Sequence, residues 1–326
     1  MKSIEYSFIL KAKSEVAQAR GTEGNASVLN RIPVELDDGD VAEVPCVSGT
    51  AMRHGLREAI ALVILDAAGL LGQHFDKPDA PRLLFGGGGN TGSGNTIKLE
   101  EMRKMESLVP SMRLFGGTTK NGIQWGRIEV SPMILICEER MKDLEPWQIE
   151  ALGDREIKPA EAYVDVVTNY ARDASDSRTG QAILTDAART DVLNRKLARE
   201  KAGEDDDDVA AEKSKGGQRP YSSQFVKRGS LFTWSVVGHV ENDLDESTLE
   251  ASLAAFLRNP IVGKSSGVGW GRLAVFAARN FDHFRPAEAL RVIEPAELVA
   301  PNRGAGLLEH IAKRQEEVKA CLLNLS

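Results

Sequence analysis

The sequence predicts an α+β fold, a ferredoxin-like (RRM-like) palm that carries two large insertions. Three observations support this. Setting the insertions aside, the elements run strand, helix, strand, strand, helix, strand, the split βαβ order. The strands alternate apolar and polar residues with a period of two, and the helices repeat near 3.6. One interruption lies between the first helix and the second strand, the other between the second and third strands.

The first strand places Ile4, Tyr6, Phe8 and Leu10 in alternation with Glu5, Ser7, Lys11 and Lys13, and only Ile9 breaks the pattern. A loop rich in Gly, Asn and Ser is expected next, with Arg20, Asn25, Asn30 and Arg31. Ser48 and Gly49 then open a helix. Met52, Leu56, Ala59, Ile60, Val63 and Ala67 fall at helical spacing, and the helix should end near Gly69 or Gly72. Residues 73–121 read as irregular and hold two glycine-rich runs. A strand over 123–137 is broken by Pro132.

A long polar insertion follows from 138 to about 220, helical around 185–201 and ending in the acidic run 204–208, which is too charged to bury. Residues 230–240 form a strand with Phe232, Trp234 and Val236 on one face. A capped helix over 245–257 stops before Pro260, a glycine loop follows, and the last palm strand covers 272–277. The tail, 306–323, reads as an amphipathic helix. The segments are therefore 1–72 (palm), 73–121 (insertion), 122–137 (palm), 138–227 (insertion), 228–280 (palm) and 281–326 (extension).

Composition bounds the function. Hydrophobic content of 42% and charged content of 27% fit a globular protein. No charge-free apolar run approaches a membrane span, and the first residues lack the apolar block of a signal peptide, so the expected location is the cytoplasm. Cys46, Cys137 and Cys321 are far apart, and the five histidines show no metal-ligand spacing. Neither a metal nor another cofactor is expected. The net charge of -7 argues at first sight against a nucleic-acid partner. The charge is uneven, however: 213–228 holds five bases and 258–272 three, both without an acid.

The densest functional signal is the loop 263–271, Gly-Lys-Ser-Ser-Gly-Val-Gly-Trp-Gly. Glycine at that density lets backbone N–H groups approach a ligand, and Lys264, Ser265, Ser266 and Trp270 add a cation, two hydroxyls and a ring. A P-loop would need a glycine at 258, which is Arg258, and would run strand to helix, so ATP hydrolysis is disfavoured. The bland alternative is a loose connection.

The second signal is the helix start, where Arg53, His54 and Arg57 occupy turns that normally favour acids. A docked phosphate would use the N–H groups, the dipole and the guanidinium forks together; a solvated basic face is the equal alternative. Gly87, Gly89 and Gly92 form a GxGxxG without a surrounding strand–helix unit, and a flexible loop accounts for them. Arg228 to Phe232 matches an RNA-recognition strand motif at three positions only. Trp234 fits a core position, whereas Trp125 suits either core or base stacking. No nucleophile elbow, paired-carboxylate motif or metal cluster points to catalysis.

Two of these segments together resemble the RAMP superfamily of CRISPR-associated proteins. Residues 44–57, Val-Pro-Cys-Val-Ser-Gly-Thr-Ala-Met-Arg-His-Gly-Leu-Arg, are similar to the family's Pro-x-x-Ser-x-x-Gly-x-x-Arg helix start, with Thr50 and Ala51 departing from it. The glycine loop through Arg272 is similar to the one before the family's last palm strand. Length and layout look most like the backbone subunit of type IV effector complexes. The resemblance implies fingers at 73–121 and a thumb at 138–227. It also implies a non-catalytic, RNA-binding subunit that oligomerises along CRISPR RNA.

The implied partners are CRISPR RNA, target nucleic acid through guide pairing, other copies of the chain and other effector-complex subunits. The implied RNA-contacting residues are Arg20, Asn25, Asn30, Arg31, Ser48, Arg53, His54, Arg57, Lys227, Arg228, Lys264, Ser265, Ser266, Trp270 and Arg272. An endoribonuclease of the same superfamily, using His54 on the guide or a loop aspartate (Asp37, Asp38 or Asp40) on the target, is the alternative. A nucleotide-binding protein using the glycine loops is a third reading.

Overall fold

The structure, a computed structural model, describes residues 2–75, 83–86, 99–119, 122–171, 190, 194, 219–282 and 291–323. Apart from Thr190 and Asn194, the expected helix at 185–201 lies outside these residues, as do the acidic run and most of the GxGxxG run. The chain opens with strands β1 (Lys2–Ala12), β2 (Ala19–Glu23), β3 (Ala26–Leu29), β4 (Arg31–Glu35) and β5 (Val41–Val47). Then come helices α1 (Gly49–Ala67), α2 (Leu99–Leu108) and α3 (Ser111–Phe115), followed by strands β6 (Gly117–Thr119), β7 (Gly122–Gln124), β8 (Ile128–Val130) and β9 (Met133–Leu135). Helix α4 (Pro146–Leu152) precedes β10 (Val164–Ala171), β11 (Arg219–Val226), β12 (Leu231–Val240), α5 (Asp243–Arg258), β13 (Leu273–Asp282) and β14 (Arg291–Val292). Helices α6 (Pro295–Leu298), α7 (Ala305–Lys313) and α8 (Gln315–Leu323) complete the chain.

Two compact units emerge. The larger comprises Met1–Arg20, Leu29–Asp165 and Phe225–Ser326; the smaller comprises Gly21–Val28 and Val166–Gln224. In the smaller unit β11 runs parallel to β3, with Ser222 opposite Ala26 and Ser223 opposite Ser27.

The larger unit holds an eight-stranded sheet in the order β14-β13-β1-β12-β9-β5-β4, with β8 also paired to β12. Its centre is the predicted palm. Counting the palm strands as β1, β8/β9, β12 and β13, their order in the sheet is fourth, first, third, second, and the β1–β12, β1–β13, β8–β12 and β9–β12 pairings are all antiparallel. That is the ferredoxin-like order. The break at Pro132 falls between β8 and β9, since proline has no N–H to give to a ladder.

The segment read as a loop before the first helix is instead built of strands. The β4–β5 hairpin pairs Arg31 with Pro45 through Glu35 with Val41, and β5 extends the palm by pairing Cys46 with Ile134. Gly24, Asn25 and Gly39 sit at the turns between these strands, while Val44, Cys46 and Val47 are buried. The tail is also corrected: it is two short helices, broken at Arg314.

Ile4, Tyr6, Phe8 and Leu10 face α1 and α5, as their alternation requires. Met52, Leu56, Ile60 and Ile64 line the buried side of α1, and Trp234 stacks on Phe8 at 5.0 Å and meets Phe256 of α5 at 5.6 Å. Ile9 points the other way. It joins a second apolar cluster with Ile136, Leu144, Trp147, Leu152 and Leu231, so the 138–152 segment covers part of the sheet's opposite face. Burying an isoleucine stabilises by roughly 1.5–3 kcal/mol, enough to explain the lone exception in the β1 pattern.

Candidate nucleic-acid interface

The glycine loop is fastened at both ends to the chain that leaves β1. Gly271 N–H donates to Glu15 O at 2.6 Å, Lys264 N–H donates to Ala17 O at 2.6 Å, and Val262 N–H donates to Gly271 O at 3.0 Å. Arg272 N–H donates to Ser14 Oγ at 3.0 Å. Two of the four glycines are demanded by this docking. Gly263 and Gly271 have φ of 81° and 80°, and a Cβ would lie 2.2 Å from Ala17 O and 1.9 Å from Val262 O respectively.

The tip is different. Ser265, with φ 66°, is the only non-glycine residue with positive φ among those described, and it starts a single 3-10 turn over Ser266–Val268. Nothing among the described residues accepts the N–H groups of Ser265, Ser266 and Gly267. Successive amides around a left-handed residue form a concave anion nest. Lys264, Ser266 and Gly267 are exposed around it.

The start of α1 is held to the same segment. Ser48 is the N-cap, and its Oγ accepts from Ala51 N–H at 3.3 Å. Gln18, the residue after the lysine's acceptor, donates Nε2–H to Ser48 Oγ at 2.9 Å and accepts Ser48 N–H at Oε1 at 2.5 Å. Asn30 N–H donates to Gln18 O at 2.7 Å, and Asn30 Nδ2 reaches Gln18 Oε1 and Cys46 Sγ. No acceptor among the described residues takes the N–H groups of Gly49 and Thr50. The glycine loop and the helix start are thus both bound to residues 14–18. The positive end of the helix dipole, two free amides, the loop nest and Lys264 all surround that segment. Sequence reasoning missed Gln18 altogether.

Arg53 and Arg57, expected at a phosphate, meet main-chain carbonyls. Arg53 donates to Ile128 O and Phe115 O, each at 2.9 Å, and Arg57 is 7% exposed and donates to Phe115 O. Burial lowers the pKa of both guanidinium groups. Arg57 falls to about 10, first through burial and then through the neighbouring Arg53. They strut α1 against the α3–β6 and β8 segments through Arg53 Nη1 and Nη2 and Arg57 Nη2, while Arg57 Nε is buried without a partner among the described residues. His54, one residue on, is exposed.

The remaining predicted residues scatter. Arg31 pairs with Glu161 and donates to Glu43 O. Lys227 donates to Ala162 O, and Arg228 is exposed in the turn before β12, while Arg20 is exposed in β2. Asn25 belongs to the smaller unit, where its carbonyl accepts from Ser222 N–H. Trp270 packs on Phe225 at 5.2 Å and against the core, so it anchors the loop, while Arg272 is exposed at the loop's exit. Trp234 is buried, and Trp125 is 86% exposed. Asp37 pairs with Lys142, and Asp38 accepts Asp40 N–H within the β4–β5 turn.

Burial pushes the Cys46 thiol up to about 11, helped by Glu43, and that of Cys137 up to about 12. Neither is a nucleophile at neutral pH. Among the described residues no group of three or more His, Cys, Asp or Glu could hold a metal, and no helix is long and apolar enough to cross a membrane.

The fold defines the chain as an α+β protein with a ferredoxin-like palm. No family model matches it, and no curated protein does. Among solved structures it is similar to a chain described as "Type IV-B CRISPR Complex", at 14% sequence identity and a TM-score of 0.49, over 89% of this chain and 94% of that one. A likeness at that distance bears on neither function nor partners.

Proposed function

We propose that this chain is a non-catalytic RNA-binding subunit that repeats along CRISPR RNA as the backbone of an effector complex. The observation that carries this is the common attachment of the glycine loop and the α1 start to residues 14–18. These are the two segments whose sequences resemble the RAMP superfamily, and they offer N–H donors, hydroxyls and Lys264 to one ribose-phosphate strand.

Backbone amides and cations contact phosphates without regard to sequence. Target choice is then left to base pairing by the guide. An acidic subunit suits this arrangement because only the local groups contact the strand, and copies side by side on one RNA raise each other's effective concentration. Other copies of the chain and other effector subunits are the partners in this proposal.

The test is co-expression with a CRISPR array. The wild-type chain should elute as a large particle rich in RNA, and Lys264→Glu with Arg272→Glu should elute small and free of RNA while remaining folded by circular dichroism. A double variant that keeps its RNA defeats the proposal. Cleavage of repeat or target RNA that disappears on His54→Ala would instead favour the endoribonuclease.

A further inference from the structure

We infer that Gln18 is the positioning residue that couples the glycine loop to the start of α1, completing from outside the helix a capping box that α1 lacks. In a capping box the N-cap hydroxyl accepts the N3 amide, and the N3 Glu or Gln accepts the N-cap amide in return. Here Ser48 performs the first half toward Ala51, but Ala51, at N3, has no side chain for the second. Gln18 supplies it from thirty residues earlier, accepting Ser48 N–H and donating to Ser48 Oγ.

Its own backbone is one residue from the carbonyl that receives Lys264 N–H, and its carbonyl receives Asn30 N–H. A single carboxamide therefore sets the register between the two segments proposed to hold the RNA backbone, and its neutrality leaves the positive helix end available to phosphate. The inference rests on that proposed RNA site.

Gln18→Glu separates positioning from plain structure. A carboxylate still accepts Ser48 N–H and complements the helix dipole, so the thermal midpoint of the 326-residue chain should stay level or rise. The fixed anion beside the site should weaken binding of a labelled single-stranded RNA by about tenfold or more at low salt, with the deficit shrinking as salt is added. Gln18→Leu, which removes both hydrogen bonds without adding charge, should lower the midpoint and weaken RNA binding together.

Fluorescence anisotropy across a salt series reads both variants, with Lys264→Glu measured alongside. If Lys264→Glu loses RNA while Gln18→Glu binds within about twofold of wild type, Gln18 is only structural and the inference falls alone. If neither substitution changes binding, the RNA site itself falls with it.

Discussion

Alanine placed at each glycine of the 263–271 loop should produce a graded loss of stability that follows the docking geometry. At Gly271 a Cβ would meet Val262 O at 1.9 Å, and φ is 80°. Relieving that clash disturbs two hydrogen bonds, Gly271 N–H to Glu15 O and Val262 N–H to Gly271 O. Left-handed strain of about 1–2 kcal/mol and two bonds of about 1 kcal/mol each give a cost of roughly 3–4 kcal/mol. At Gly263 the same strain and one bond, Lys264 N–H to Ala17 O, give roughly 2–3 kcal/mol. Gly269 has φ 90° but open space, so only the strain of about 1–2 kcal/mol applies. Gly267 has neither, and alanine there should fall within about 0.5 kcal/mol of wild type. Urea titration followed by tryptophan fluorescence measures the series, because Trp270 sits in the loop. The order Gly271, Gly263, Gly269, Gly267 is the prediction. A Gly271→Ala variant no less stable than Gly267→Ala would refute the docked loop and the site built on it.

Arg57→Ala should cost about 2–3 kcal/mol by urea titration, since Phe115 O loses a charged donor inside the protein. Its RNA affinity by anisotropy should stay within about twofold, because the group is a strut rather than a phosphate ligand. Trp125→Ala should leave stability within about 0.5 kcal/mol, given its exposure, and a loss of about 1 kcal/mol or more in RNA binding would identify it as a stacking platform. Alkaline titration should weaken the fold from pH 9 upward: the unfolded thiols ionise near 9, whereas Cys46 and Cys137 resist to about 11 and about 12. Stability contributed by the neutral thiols is complete below pH 9 and lost as pH rises through the folded values. Cys46→Ala should flatten part of that fall in thermal midpoint against pH, and a profile unchanged by it would count against the burial of the thiol.

The palm was legible because its determinants are local. Alternation in β1, the spacing of Met52, Leu56 and Ile60, and the helix opening at Ser48 are each set within a few residues. Even the exception at Ile9 was visible as an exception, although its meaning needed the cluster from 138–152. The β4–β5 hairpin was not legible, since its buried positions, Val44 to Val47, are consecutive rather than alternating. A run of four buried residues is what a strand adds when both of its faces are covered.

The site was half legible for a related reason. Sequence shows which donors exist but not which acceptors they meet. Arg53 and Arg57 look like phosphate ligands by type and spacing, yet their partners are main-chain carbonyls 58 to 75 residues downstream, and every residue carries such a carbonyl. Gln18 looks ordinary for the converse reason, since its partner Ser48 lies 30 residues away. Among the described residues, the groups left for a ligand are therefore those the fold does not consume: amides at a helix start and a loop tip. Arg53 and the buried Arg57 brace the helix start from behind, so in the proposed site these basic residues serve through position instead of charge. Charge-reversal at Arg57 would then break the fold before it could report on the ligand, whereas Lys264 and Gln18 lie where binding and stability can be separated.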